Sequence, residues 1–208
     1  ENPLELTAEE KELMNTISAS FRHSEILQKH IKFLYSHGSM YKIVNSNLLY
    51  HGCIPMTDDG EFNTISFGGR DYCGKNYLEF IDSQVRKAYF GKSGSSEKND
   101  AKDFMWYLWC GAKSPLFGKN KMAAFEKYFL TEAELHKEEM NPYYKMINNR
   151  KVCEKILQEF SLSPQNAHII NGHVPVKIKE GESPIKGGGL LYMIDGGISK
   201  AYHSQTGI

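Results

Sequence analysis

The sequence predicts a mixed α/β (α+β) fold. Several segments repeat apolar residues at helical spacing, whereas other short runs are rich in β-branched and aromatic residues and are bounded by glycine, proline or asparagine. Length is the third observation, because 208 residues suffice for one domain that buries about 70% of its extended surface. We therefore expect 1–208 to form a single domain in which helices and strands mix throughout.

The N-terminal part of the chain predicts two helices. Thr7 with Glu10 forms a capping box ahead of a first amphipathic helix. A second helix is expected from Ser24 to about Ser36, and Gly38 is expected to end it. The next segment, YKIVNSNLLYHGCIP, is typical of short strands joined by an Asn-Ser-Asn turn, and EFNTISFGG predicts a further strand.

The rest of the chain alternates helices with strands. KNYLEFIDSQVRKAYFG predicts a helix, 92–100 a polar surface loop, and AKDFMWYLWCG a short apolar helix ending at Gly111. Asn141-Pro142 predicts the start of one helix that continues through KVCEKILQEFSL. Ser163-Pro164 is expected to end it before the strand HIING, and a basic glycine-rich loop, KEGESPIKGGG, precedes the strand LLYMIDGG.

Composition excludes several classes of function. Acidic and basic residues cancel at 25 each, which removes the electrostatic argument for a nucleic-acid or anionic-membrane partner. No apolar run approaches the roughly 20 residues that span a bilayer, and no signal peptide opens the chain. The four cysteines form no Cys-x-x-Cys pair, so reduced thiols in the cytoplasm are expected. Because the chain begins Glu-Asn-Pro without a methionine, we expect it to be a piece of a longer protein.

Three apolar segments end in the same way, and this pattern indicates a functional site. LLYHG, HIINGH and LLYMIDGG each deliver a histidine or aspartate beside glycine just after the apolar run. Ligands gather at strand ends in α/β proteins, and imidazole and carboxylate suit borderline divalent metals. One hypothesis is that His51 and His173 coordinate a metal from neighbouring strand ends. The other is that each is a half-buried histidine bonded to backbone, and spacing alone leaves both open.

Particular phrases resemble a known superfamily. YHGCIP is similar to the His-Gly-Gly motif of calcineurin-like metallophosphoesterases, and NGHVPVK to their later Gly-His motif. Asp103-Phe104-Met105-Trp106 resembles the Asp-Leu-Leu-Trp segment of phosphoprotein phosphatases, and Asp195-Gly196-Gly197 stands where the superfamily has its closing strand. From about residue 20 onward, the phrases NLLYHGCIPM, WYLWCGAKSPLFGK and GESPIKGGGLLYMIDGG resemble the class III fructose-1,6-bisphosphatase family of Firmicutes.

This resemblance implies part of a layered β-sandwich flanked by helices, with a site for two metal ions, manganese being favoured. His51 and His173 would bind one ion. The Gly-Asp-x-His, Gly-Asp-x-x-Asp-Arg and Gly-Asn-His motifs that complete such a site are absent, so the chain resembles the second half of the catalytic domain and is expected to be inactive alone. The implied reaction removes the 1-phosphate of fructose 1,6-bisphosphate in gluconeogenesis. The alternatives are a protein phosphatase, a dinucleoside-polyphosphate hydrolase or a non-catalytic module, and assembly as a homo-oligomer stays open.

An enzyme that acts on a sugar bisphosphate needs a second anion site, which binds the phosphate group that is not cleaved. The candidate residues are lysines and hydroxyls near glycine, namely Lys113, Ser114, Lys119, Ser183 and Lys186, with Arg70 as a weaker one. A basic loop that is merely solvated is the alternative.

Two further patterns predict structure rather than chemistry. His23, His30 and His37 recur every seven residues, but about 10 Å along a helix is too far for one ion, so surface or structural histidines are expected. The aromatic residues of the 101–111 helix, Trp106 and Trp109 among them, are expected in the core.

Overall fold

The computed structural model describes residues 5–195, which divide into two compact units at the boundary between Ser39 and Met40. The first unit holds the helices α1 (Ala8–His23) and α2 (Glu25–His37). The second unit holds the strands and the remaining helices. A single domain over 1–208 stays a prediction.

The ends of α1 and α2 confirm the predicted helix signals. The Thr7 hydroxyl accepts from Glu10 N at 3.2 Å, while the Glu10 carboxylate accepts from Thr7 N at 2.7 Å, so the capping box forms. The Ser24 hydroxyl accepts from Leu27 N at 3.3 Å and caps α2, and Gly38 directly follows the last residue of α2. No residue of either helix is buried.

The second unit contains seven strands, five α-helices and three short 3₁₀ turns in its described part. They are β1 (Tyr41–Val44), β2 (Asn47–Tyr50), β3 (Ile65–Phe67), β4 (Arg70–Tyr72), α3 (Gly74–Phe90), α4 (Ser96–Cys110), α5 (Ala124–Phe129), a 3₁₀ turn (Ala133–His136), α6 (Tyr143–Met146), α7 (Arg150–Glu159), β5 (His168–Asn171), a 3₁₀ turn (Ile178–Glu180), β6 (Ile185–Lys186), a 3₁₀ turn (Gly187–Gly189) and β7 (Leu191–Met193).

Five of the strands form one mixed sheet in the order β1-β2-β5-β7-β6. The central strands β2, β5 and β7 are parallel, whereas β1 and β6 pair antiparallel at the two edges. Strands β3 and β4 form a separate two-stranded ribbon. Because parallel strands run the same way, the carboxyl ends of β2, β5 and β7 meet at one edge of the sheet.

The sheet buries one face against helices. Leu48, Ile169 and Leu191 lie in register across the three parallel strands and are fully buried. Tyr77 of α3 and Ile156 of α7 belong to the same cluster. The mixed α/β class is therefore confirmed. The sandwich that the resemblance implies needs a second full sheet, and residues 5–195 form only the five-stranded sheet and the β3–β4 ribbon.

Two expected element boundaries are wrong. The predicted loop at 92–100 becomes helical at Ser96, because the Ser95 hydroxyl accepts from Lys98 N at 3.3 Å and starts α4 there. The single helix expected after Pro142 is two helices. Asn149 stands between them in extended conformation, and its side chain accepts from Lys151 N at 3.0 Å to cap α7.

The expected aromatic core on α4 is correct for only one face of that helix. Phe104 is buried and Tyr107 is partly buried, and their rings contact at 5.8 Å between centroids. Trp106 and Trp109 are 67% and 57% exposed, so the prediction of a core position is wrong for both. At about 100° per residue, Trp106 lies roughly 200° around the helix from Phe104 and cannot share its buried face.

Candidate functional site

The imidazoles of His51 and His173 meet at the carboxyl edge of the parallel strands. His51 directly follows β2, and His173 stands two residues after the end of β5. His51 Nε2 lies 3.1 Å from His173 Nδ1, with the ring centroids 5.0 Å apart and the rings inclined at 76°. The expectation that two neighbouring strand ends bring these histidines together is confirmed.

Backbone hydrogen bonds continue the sheet past the strand ends and hold this edge together. Gly172 N donates to the His51 carbonyl at 2.9 Å, and Val176 N donates to the Asp195 carbonyl at 3.1 Å. Asp195 is partly buried, and the Gly196-Gly197 pair expected after it lies outside the described residues. The three motif ends predicted from sequence therefore lie along one edge.

The electrostatics of this edge favour a neutral His51. Partial removal from water lowers the pKa of His51, and the neighbouring His173 lowers it further. The Asp195 carboxylate acts in the opposite direction, but the net pKa shift is downward. Because a metal binds the neutral imidazole, this shift favours the form that a ligand requires.

A carbonyl in the loop after α4 determines which nitrogen of His173 carries the proton. His173 Nε2 lies 3.2 Å from the Phe117 carbonyl oxygen, which is an acceptor only. Nε2 is therefore assigned the hydrogen, and Nδ1 presents a lone pair toward His51 Nε2. Metal-binding histidines commonly donate their second ring N–H to a backbone carbonyl in this way. The same contact is also what the alternative hypothesis, a half-buried histidine bonded to backbone, predicts.

The backbone at His173 is in an uncommon conformation. Its φ is 72°, and Val174 N donates to the Gly172 carbonyl at 2.9 Å, so His173 is the central residue of a three-residue turn. Non-glycine residues with positive φ persist only where the surrounding structure holds them. The turn is the local reason why the imidazole is directed back toward His51 rather than along the strand.

Ser114 shapes the loop that reaches this edge. Its hydroxyl donates to the Leu108 carbonyl at 2.5 Å and accepts from Leu116 N and Phe117 N. The side chain is 1% exposed. Ser114 therefore positions the Phe117 carbonyl that contacts His173. Its predicted role as a phosphate ligand stays a prediction.

The separation of the two histidine nitrogens is compatible with a shared divalent ion. Two nitrogens at right angles around one ion, each at about 2.1 Å, lie about 3 Å apart, which matches the 3.1 Å separation of His51 Nε2 and His173 Nδ1. Among residues 5–195, no group of three His, Cys, Asp or Glu side chains is placed to hold a metal. The His, Cys, Asp and Glu side chains of the described residues therefore form no larger ligand group around this pair.

A comparison with protein families matches residues 1–208 to the model described as Firmicute fructose-1,6-bisphosphatase. The chain belongs to the Firmicute fructose-1,6-bisphosphatase family. A relative from Clostridium botulinum (strain 657 / Type Ba4), named fructose-1,6-bisphosphatase class 3, is 55% identical over 208 residues. One from Clostridium tetani (strain Massachusetts / E88), with the same name, is 51% identical over 207 residues. Each alignment covers 100% of this chain and 31% of the relative.

The chain thus spans about a third of the length of these curated bisphosphatases. No solved structure matches it. The described residues also contain no helix that is long and apolar enough to cross a membrane.

The phosphate candidates after α4 in this bisphosphatase-family chain each have a partner within the chain. Lys113 Nζ donates to the Thr64 carbonyl at 2.9 Å. Lys113 also lines a groove of about 570 Å³ beside the β3–β4 ribbon. Lys119 Nζ forms an ion pair with Glu138 at 2.8 Å. Arg70, the weaker candidate, lies in β4 rather than after α4, and it lines a second groove of about 330 Å³.

The candidates in the glycine-rich loop are engaged in the same way. The Ser183 hydroxyl accepts from Ile185 N at 3.1 Å, and Lys186 Nζ pairs with Glu182 at 2.7 Å. The Lys186 side chain is only 10% exposed. Phosphate binding by these residues stays a prediction, since the structure shows them in local hydrogen bonds and ion pairs.

Sequence reasoning missed the buried polar group behind the histidines. Asn171 is the last residue of β5, and its amide donates to the Gly52 carbonyl and to the Tyr143 hydroxyl. A signal was present in the sequence. In a strand the side chains alternate between faces, so Asn171 shares the buried face with Ile169, where a polar residue is unusual.

Proposed function

We propose that the full-length protein is a metal-dependent phosphatase that removes the 1-phosphate of fructose 1,6-bisphosphate, giving fructose 6-phosphate and phosphate. The observation that supports it is the His51–His173 pair, whose donor nitrogens stand 3.1 Å apart at the carboxyl edge of the parallel strands. The names of the relatives supply the substrate. Manganese is the proposed metal and the cytoplasm the proposed location.

In this proposal, His51 and His173 bind one of two ions. Two bound ions supply a hydroxide at neutral pH and neutralise charge on the transferring phosphoryl group. His51 contributes Nε2, and the downward shift of its pKa favours the neutral ring that a metal requires. His173 contributes Nδ1, because its Nε2–H is held by the Phe117 carbonyl.

The hydrogen between His51 Nε2 and His173 Nδ1 would have to leave this contact for a metal to bind there. Without metal, the 3.1 Å contact needs one hydrogen between His51 Nε2 and His173 Nδ1, and His51 supplies it. A metal would need lone pairs on both nitrogens, so the neutral His51 ring would have to carry its hydrogen on Nδ1 instead of Nε2. Because a protonated His51 ring offers no lone pair to a metal, metal affinity is expected to fall as the pH drops through the range in which the His51 imidazole titrates.

The test uses the full-length protein, freed of metal and then supplied with manganese. We expect hydrolysis of fructose 1,6-bisphosphate to exceed hydrolysis of a phosphopeptide and of a dinucleoside tetraphosphate by a wide margin, and His51→Ala to abolish it. If the protein hydrolyses the phosphopeptide or the dinucleoside tetraphosphate faster, that compound class replaces fructose 1,6-bisphosphate as the proposed substrate. Absence of any phosphoester hydrolysis with manganese present would favour a non-catalytic role.

A further inference from the structure

Asn171 connects the ends of the three parallel strands. Its backbone carbonyl accepts from Ile194 N at 2.8 Å, at the end of β7. Its side-chain Nδ2 donates to the Gly52 carbonyl at 3.0 Å, beyond the end of β2. Gly52 directly follows His51, and His173 stands two residues after Asn171. The positions of the two histidines relative to each other therefore depend on contacts that Asn171 makes.

The side chain at 171 has to be a hydrogen-bond donor. The Gly52 carbonyl only accepts, which places the amide nitrogen rather than the oxygen toward it. The second amide hydrogen goes to the Tyr143 hydroxyl at 2.7 Å, which leaves the hydroxyl's own hydrogen for Tyr50 at 2.7 Å. An aspartate would face the Gly52 carbonyl with an acceptor, and a leucine would offer it nothing.

Packing alone does not explain an amide at this position. Asn171 is 1% exposed, and its Oδ1 is buried without a hydrogen-bond partner among residues 5–195. A buried acceptor without a partner costs free energy that an apolar residue of the same shape would avoid. Ile169, two residues earlier on the same face of β5, is fully buried and apolar. An apolar residue at 169 and an amide at 171, both buried on the same face of β5, indicate that the amide has a role beyond packing.

The edge that Asn171 holds is tightly constrained. His173 occupies a turn with φ of 72°, which persists only if its neighbours hold it. On the opposite side, a Cβ at Gly52 would lie 2.3 Å from the Pro115 carbonyl oxygen, so the backbone there has no room to shift toward Pro115. The amide of Asn171 joins these two constrained segments directly.

We propose that Asn171 is a positioning residue, which holds His51 and His173 at the separation that one shared divalent ion requires. The inference rests on the proposed function, because it presumes that the pair binds an ion. Losing the amide would release the Gly52 carbonyl, so that beyond the strands the ends of β2 and β5 would keep the Gly172 N–H to His51 carbonyl bond but lose the side-chain contact. The histidine nitrogens would then sample a wider range of separations, and the ion would bind less tightly.

The test measures manganese affinity of the metal-free full-length protein by isothermal titration calorimetry, which reads binding without relying on turnover. We expect Asn171→Leu and Asn171→Ser to bind the ion assigned to the His51–His173 pair about 10- to 100-fold less tightly than the unaltered protein. Tyr143→Phe removes the hydroxyl's contacts with Asn171 and with Tyr50 but leaves the Asn171–Gly52 contact in place, so it is expected to change the affinity by much less. At saturating manganese, kcat of the Asn171 variants should recover toward that of the unaltered protein.

Ile169→Val is the matched control, because it shortens a fully buried side chain of the same strand without touching the hydrogen bonds. It should lower the melting temperature and leave manganese affinity unchanged. Unaltered affinity in Asn171→Leu or Asn171→Ser, with only a lower melting temperature, would overturn the positioning role. Failure of both variants to fold would overturn it as well, by assigning Asn171 to the core. If the unaltered protein binds no manganese, the proposed function itself fails.

Discussion

Gly172 donates its backbone N–H to the carbonyl oxygen of His51 over 2.9 Å, which continues the β2–β5 ladder beyond both strands. This bond brings His51 and the residue before His173 into fixed register. The two imidazoles are consequently placed by main-chain geometry before any ligand is present, so the pair is preorganised.

Because His51 and His173 are proposed to bind one ion, the reductions in activity caused by replacing each of them should not be additive. In the full-length protein, His51→Ala and His173→Ala should each reduce kcat/KM roughly 100-fold or more, since losing a ligand exceeds the 10- to 100-fold cost of changes around ligands. The double variant should lose about as much as either single one. Steady-state kinetics at limiting manganese checks this, with circular dichroism as the fold control. Normal turnover by either single variant would remove that histidine from the site.

The isolated 208-residue chain should be inactive and should bind manganese weakly. Two neutral imidazoles do not offset the charge of divalent ions, and residues 5–195 place no third His, Cys, Asp or Glu with the pair. Calorimetric titration with manganese, together with an assay on fructose 1,6-bisphosphate, tests the expectation. Tight binding of two ions or measurable turnover would mean that a complete site lies within this chain.

Gly52→Ala should destabilise the chain by about 1–3 kcal/mol through overpacking. The new methyl would lie 2.3 Å from the Pro115 carbonyl oxygen, a backbone atom whose position is further held by the hydrogen bond from Cys53 N at 3.0 Å. Gly172→Ala is the control, since a Cβ there meets no atom closer than 3.5 Å. Denaturant unfolding of the two variants should therefore differ clearly, and equal midpoints would contradict the close approach.

Glu138 should make the 119–140 segment sensitive to acid. Hydrogen bonds from Lys119, from the Ala123 N–H and from Lys127 lower the pKa of Glu138 to about 2. A lowered folded-state pKa gives stability that is present above the unfolded value of about 4.5 and is lost as pH falls toward 2. Glu138→Gln should remove the stability that the ionised carboxylate contributes at neutral pH. In this variant, the loss of stability between pH 4.5 and 2 should therefore be smaller.

The measurement is hydrogen exchange of the Ala123 amide, which donates to Glu138 at 3.0 Å, across the acid range. Glu134→Gln is the control, because Glu134 lies in the same segment and its side chain is exposed. Protection that stays constant between pH 4.5 and 2 in the unaltered chain would contradict the role assigned to Glu138.

Local signals in the sequence predicted the elements well where short-range chemistry determines them. The capping box at Thr7 and the cap at Ser24 act within three residues, so the two N-terminal helices begin where the sequence indicates. The Asn-Ser-Asn turn is equally local: Asn45 and Ser46 adopt positive φ, as a tight hairpin between β1 and β2 requires. Boundaries at Ser95 and Asn149 were missed although both residues are helix caps by type.

By itself, the sequence determined the mixed α/β class, the strand ends that carry chemistry, and the family resemblance. Only the tertiary structure decided that His51 and His173, 122 residues apart in the chain, stand 3.1 Å from each other. It alone showed that Trp106 faces outward and that Asn171 bonds across to Gly52. The physical reason is that caps and turns act between neighbouring residues, whereas strand order and register depend on which distant segments bury their apolar faces together.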